Sequence, residues 1–450
     1  MPDDSMPLSV DAVLSLAPDP ASAKAARGLV SPAQWPTLGV NDAAVWGECQ
    51  GSGAKPYQTQ VDLAGPAFRC SCPSRKFPCK HGLALMLLRA EQGTLFKIGD
   101  APAWVSEWLA SRVDKAQKKE EREQTRAAAP ADAEAAATRE RQREAQRWAR
   151  IEGSAQELQR WLADQIGTGL GVRSPAQRAV WQTMAARLVD AQAPGLGQRL
   201  REATEGLGQG ADWPERTLRR LGLLQLACDA ISRRETLPED VQADLRLLVG
   251  WPIDKAEVLA TGPRVRDHWT VLGVAAEERD DKLTERRAWL QGERSGRRAL
   301  LLDHAHGGRG FDQPWFAGTG LEATLVGFPG ASAQRALVDE PGPLASDPVW
   351  PTTTVAQEWA SVAARVAACP WVSLHPMVLP GLVPLQADGA WWGVAEGRAW
   401  PLAANPAVGW SLLAHAGGAP LTLMGEWDGE RLRPLTAWGA QGLWQWSTGE

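Results

Sequence analysis

At 450 residues the chain is long enough for two or three domains with cores of their own, and its 44% hydrophobic and 22% charged residues exclude a chain dominated by disorder. A net charge of −5 and a pI near 5.8 exclude the overall basic footprint of a nucleic-acid-binding protein, so any such contact has to be local. No apolar run is long enough to span a bilayer, and Met1–Pro7 has neither the basic start nor the apolar core of a signal peptide, so we expect a cytoplasmic protein with no membrane partner.

Ser9–Ala17 reads as a short amphipathic helix carrying Val10, Val13, Leu14 and Leu16, ended by Pro18-Asp19-Pro20. A second short helix covers Ser22–Leu29. Tyr57–Leu63 alternates like a strand, and Trp46–Cys49 is placed to pair with it across the turn-rich Gln50–Pro56, as a hairpin. The stretch that follows, Cys70-Ser-Cys72-Pro-Ser-Arg-Lys-Phe-Pro-Cys79-Lys-His81, gathers three thiols and an imidazole. With six cysteines in the whole chain, a window this short would hold about 0.2 of one by chance. Three thiolates and one neutral imidazole are a common closed set for Zn²⁺. Because a catalytic zinc keeps a position for water, the complete Cys3His set points to a structural metal. Arg69, Arg75, Lys76 and Lys80 surround it, favour the thiolate forms, and are candidate contacts for nucleic acid or a partner. Gly82–Arg89 is then a run of strong helix formers, apolar enough to be largely buried. The order is strand, strand, metal, helix, with Cys70 and Cys72 leaving the second strand and Cys79 and His81 at the start of the helix.

C-x-C, six residues, then C-x-H, after a hairpin and before a Leu/Ala-rich helix, resembles the SWIM-type zinc finger over roughly residues 46–90. The phrasing Trp46-Gly-Glu-Cys-Gln-Gly-Ser-Gly53 with Cys79-Lys-His-Gly82 looks like its bacterial branch. The resemblance implies zinc on Cys70, Cys72, Cys79 and His81. It also implies DNA or protein contact with no agreed catalytic activity, and an accessory role in a partner complex that includes an ATPase assembly.

Asp114–Arg147 contains no apolar side chain larger than alanine and balances nine basic against eight acidic residues. It reads as a linker, either solvated helix on each side of Pro130 or disorder. Helical periodicity returns at Trp148: Ile151, Leu158, Trp161, Leu162 and Ile166 fall roughly on one face, and Ser174-Pro-Ala-Gln177 has the form of a capping box. That helix continues through Trp181, Met184 and Leu188. Pro214 and Pro238 open two more, making a bundle of four helices. Beyond Pro263 the texture is β: residues 269–276, 287–291, 299–302 and 322–328 are short strand-like runs, one helix intervenes at Thr354–Ala368, and Asp388-Gly389 and Asp428-Gly429 are hairpin signals. The expectation is an α+β multi-domain chain: an N-terminal region 1–112 holding a small ββ-zinc-α finger, a linker 113–147, a helical bundle 148–252, and a Trp-rich, mainly antiparallel β-rich region 253–450.

Other constellations are weaker. Asp303-His304-Ala305-His306 sends two imidazoles to the same side of a strand end, and an enzyme pocket around His304 and His306 is the alternative to a binding protein. Gly307-Gly-Arg-Gly310 lacks the Lys-Ser/Thr of a phosphate loop. The 23 tryptophans beside one tyrosine belong mostly to cores, with Trp391-Trp392 or Trp444 and Trp446 as a candidate platform. Cys49, Cys228 and Cys369 read as buried small hydrophobes, Cys49 being close enough to the metal to serve as a substitute ligand. The function expected is a zinc-binding adaptor that contacts DNA or a protein.

Overall fold

The structure, a computed structural model, describes residues 10–446 except 18–19, 52–54, 64–66, 75–77, 113–129, 171–174, 206, 208–211, 280–282, 307–310, 312, 333 and 346–347. It is an α+β chain in which an N-terminal sheet, a helical bundle and two C-terminal β units follow in order.

The expected hairpin is present as β2 (Ala44–Cys49) and β3 (Tyr57–Asp62), in register from Ala44↔Asp62 to Cys49↔Tyr57. It is the middle of a wider sheet. β1 (Thr37–Val40) and β4 (Ala67–Cys70) extend it on either side, and β5 (Lys97–Ile98) adds a parallel edge, giving the order β4-β3-β2-β1-β5. The strand that leads into the metal loop is therefore β4, not the second strand of the hairpin. At four residues each, β1 and β4 are too short to show alternation in sequence. Helix α1 (Val10–Ser15) and α2 (Pro20–Arg27) bring Val13, Leu16 and Ala26 onto α3 (Lys80–Glu91), every residue of which from His81 to Leu88 is buried. A helix at 103–112, α4, sets Val105 against Ala44 and Trp46.

Within the segment read as a linker, residues 130–147 are the first turns of a long helix, α5 (Pro130–Thr168), and residues 138–143 are exposed along it. For the part from Pro130 onward this is the solvated helix of the two alternatives, propagated from a packed nucleus that begins at Trp148, while the part before Pro130 lies outside the described residues. α6 (Pro175–Asp190), α7 (Pro194–Thr204), α8 (Trp213–Ser232) and α9 (Glu239–Leu248) complete the bundle around Ile151, Leu158, Leu188, Leu196, Leu221, Cys228 and Leu245. Ile166 is not on the core face but 50% exposed. Helix α7 is not legible in sequence because Gly195 and Gly197 read as breaks. Both serve close approach: a Cβ at Gly195 would stand 1.9 Å from the Leu248 carbonyl, and one at Gly197 2.7 Å from that of Ala185.

After α10 (Lys255–Thr261), strands β6 (Arg264–Glu278), β7 (Leu283–Gly292), β8 (Arg298–His306), β9 (Gly320–Gly327) and β10 (Arg335–Ala345) close a barrel in the order β10-β8-β7-β6-β9. The pairs are antiparallel except β8 with β10, which seals the barrel in parallel. Helix α11 (Val355–Ala368) starts at a capping box on Thr354, as the sequence predicts from that residue onward. The tail is a six-stranded sheet, β13-β12-β11-β14-β15-β16, built from β11 (His375–Ala387), β12 (Ala390–Ala395), β13 (Arg398–Pro401), β14 (Leu421–Trp427), β15 (Leu432–Gly439) and β16 (Gly442–Gln445), with α12 (Pro406–Ala416) between β13 and β14. Both Asp-Gly pairs are hairpin connections. Asp388 and Gly389 both have positive φ, of 51° and 74°, as a two-residue primed turn requires. Asp428 instead accepts from the Glu430 and Arg431 amides at 2.7 Å and opens a four-residue loop.

The units are joined by buried polar contacts. Asp244 of α9 accepts from the Ala331 and Ser332 amides at 2.8 and 3.2 Å and from Ser332 Oγ at 3.0 Å, while Cys369 and Trp371 complete the bundle core. Barrel and tail meet at Glu426, which takes Arg287 Nε and Nη2 at 2.7 and 3.0 Å and Trp289 Nε1 at 2.8 Å. The tryptophans offered as a platform are mostly core: Trp391 and Trp444 are each 6% exposed, and Trp446 packs against the same cluster.

Candidate metal centre

Three elements supply the four donors. Cys70 ends β4 opposite Thr59, Cys72 follows in the loop, Cys79 caps the N-terminus of α3, and His81 lies in its first turn. The loop is pinned back on β3 by a reciprocal pair: the Ser71 amide donates to the Gln58 carbonyl at 2.9 Å, and the Gln58 amide to Ser71 Oγ at 3.0 Å. The helix start is fixed as well, with the Gly82 amide donating to Cys79 Sγ at 3.5 Å, so the positive end of α3 faces sulfur. The Tyr57 ring lies 4.9 Å from that of His81, centroid to centroid, and limits where the imidazole can turn.

The donor atoms of Cys70, Cys72, Cys79 and His81 all lie within 4.8 Å of one another, and Cys70 Sγ is 3.8 Å from His81 Nδ1. Tetrahedral zinc with bonds of about 2.0–2.3 Å needs donor separations of about 3.3–3.8 Å, so closing on the ion takes small side-chain movements. Charge gives the same answer. The Cys70 thiol is drawn down to about 4, chiefly by a hydrogen bond from Cys79 and further by His81 and Thr59, whose Oγ1 is 3.2 Å away. That bond and burial push the Cys79 thiol far up, and burial above all raises Cys72. Left to itself the cluster favours one thiolate. A dication would hold all three, and the residues present fit zinc in donor type, number and spacing.

Thr59, Tyr57 and the Gly82 amide support the donors and were not singled out from sequence. Thr59 lies in the strand expected at Tyr57–Leu63, but its partner Cys70 on β4 was not legible because that strand was not expected. Arg69 and Lys80 are exposed beside the cluster, while Arg75 and Lys76 lie outside the described residues. Cys49 is buried on β2, its thiol raised to about 11 chiefly by burial, and it does not belong to the donor group.

The second constellation does not assemble. His304 and His306 share one face of β8, as alternation requires, but that face is exposed. His304 Nε2 stands 3.6 Å from Glu285 Oε2, and Asp303 turns the other way to Arg286 at 2.6 Å and Trp315 Nε1 at 3.2 Å. Among the described residues the Cys3His set is the group placed to hold a metal ion; Gly307–Gly310 lies outside them. No described helix is long and apolar enough to cross a membrane.

Comparison with protein-family models matches residues 57–90 to the SWIM zinc finger and residues 146–249 to the SWIM-associated four-helix bundle domain. No curated protein and no solved structure matches the chain. The chain thus carries a SWIM zinc finger whose Cys3His cluster is the candidate metal centre, followed by the bundle domain associated with such fingers.

Proposed function

We propose that this is a zinc-binding adaptor in which the metal has a structural role and the finger presents a contact surface to DNA or to a protein partner. The observation that carries the reading is the closed donor set: four protein ligands fill a tetrahedral ion, which leaves no position for a substrate or an activated water. What the metal organises is a surface. β4 is an edge strand of its sheet, the metal loop leaves from its end, and Arg69 and Lys80 stand exposed on either side. An exposed strand edge beside two cations suits either a phosphate backbone or an extended peptide. A partner within an ATPase-containing assembly is the protein version of the proposal.

The test has two stages. Elemental analysis of protein purified without chelator should find one zinc per chain; a clearly substoichiometric content defeats the metal assignment. Mobility shifts with single- and double-stranded DNA at low salt, alongside crosslinking and co-purification from native extract, then separate the partner classes. In either class, Arg69→Ala with Lys80→Ala should weaken binding about tenfold while zinc content is unchanged. Binding indifferent to that double variant places the contact elsewhere.

A further inference from the structure

A second site lies on the bundle, away from the metal. Trp251, just beyond α9, closes the helix by donating its amide to the Arg246 carbonyl at 2.9 Å. Its indole is held beneath two guanidiniums, Arg147 at 4.1 Å and Arg246 at 5.2 Å from the ring centroid. Between this indole and α5 is a recess of about 300 Å³ into which Arg143, Arg147 and Arg150 open, three and four residues apart and hence on one face of the helix.

The charges in the recess do not cancel. Glu144 is taken by Arg246, and Glu140 faces Arg143 at 3.8 Å. Arg147 and Arg150 have no carboxylate partner among the described residues, and Arg147 Nε is buried without an acceptor. Burial draws the Arg147 pKa down, with no carboxylate acting against it. Arg147 is half-buried and stacked on the indole, and its shielded Nε–H lacks the acceptor that an anion entering the recess would supply. Gln192, held at a φ of 66°, adds a side-chain amide to the rim.

We infer that this recess binds a small molecule bearing a diphosphate group, with Arg147 and Arg150 as its principal ligands. Guanidiniums grip phosphate oxygens in pairs, and two uncompensated cations match a compact polyanion. The span fits this length: Arg147 and Arg150 leave the helix about 4.5 Å apart along its axis, a separation that two linked phosphates bridge with one on each guanidinium. The indole is already covered by cations, so it serves to position Arg147 and not to stack on a base.

Calorimetric titration of the full chain with inorganic phosphate, pyrophosphate and ATP at low ionic strength tests this. Pyrophosphate should saturate one site and bind at least about tenfold more tightly than phosphate. Affinity for ATP equal to that for pyrophosphate would identify a bare diphosphate as sufficient, and tighter ATP binding a nucleotide source. Arg150→Ala, at an exposed position that folding does not need, should lose about tenfold, and Arg147→Ala more, while Arg141→Ala, exposed on the opposite face of the helix, should change nothing. Absence of saturable binding by both pyrophosphate and ATP, or binding unaltered in a folded Arg150→Ala variant, overturns the inference.

Discussion

Replacing Cys79 by alanine removes one donor and the N-cap of α3, and the structure predicts how far the damage spreads. Loss of a structural zinc forfeits roughly 10 kcal/mol in a small finger, enough to unfold one that stands alone. Here the helix has a second anchor. Leu83, Leu85, Met86, Leu87 and Leu88 are each 1% exposed or less. At about 2 kcal/mol per side chain, their burial contributes on the order of 10 kcal/mol, comparable to the metal. The missing cap adds only about 1 kcal/mol. The consequence is a split response: α3 and the β2–β3 hairpin stay folded, while β4 and the loop from Ser71 to Cys79 come loose. Hydrogen exchange read by mass spectrometry on Cys79→Ala, and on wild type treated with chelator, should show the Ser71 amide losing about a hundredfold in protection and Leu83–Leu88 less than tenfold. Equal loss of protection in the loop and in the helix core would refute the reasoning, because it would mean the metal alone holds the helix.

Glu426→Gln keeps the shape of the carboxylate and removes its charge beneath Arg287, whose side chain is 4% exposed. Since Arg287 retains Glu277 and Glu285 at 3.1 and 2.8 Å, the cost should sit near the low end for a broken buried pair, about 3 kcal/mol in urea unfolding. A change below about 0.5 kcal/mol would show that the network is redundant. His375 is buried with Nδ1 unpartnered, and burial, helped by Arg365, draws its pKa down to about 4. Its folded pKa lies below the unfolded 6.5, so its contribution is complete above pH 6.5 and is lost as the pH falls toward 4. Stability should drop by about 2 kcal/mol from pH 7 to pH 5 on this account alone. The difference from His375→Gln isolates it from the metal ligands; parallel pH profiles would contradict the assignment.

The metal centre was legible because coordination chemistry is local: four donors in a dozen residues need no knowledge of the fold. Helix α11 was legible for a similar reason, since Thr354 and Gln357 announce its first turn. Where strands pair across long separations the sequence was silent. Nothing near Arg335 or Leu300 foretells that they meet in parallel to close the barrel. Helix α12 did carry signals, Asn405 and Pro406 at its start and Gly417 at φ 56° at its end, but an interior apolar on nearly all sides reads as strand in a β-rich context. The paired tryptophans misled because composition reports what a side chain can do and not what covers it: Trp391 lies edge-on to Trp410 in the tail core, and it is Trp410 that is 54% exposed.

Trp371 belongs in sequence to the stretch between α11 and β11, yet it sits in the heart of the bundle, with its carbonyl taken by Arg199 at 2.6 Å. A fragment cut after residue 252 would therefore keep its helices but have a vacant socket where an indole and the Cys369 thiol had been. The boundary drawn by chain order and the boundary drawn by close packing are different lines. A gene-level exchange of this bundle for another would have to carry those few distant residues with it.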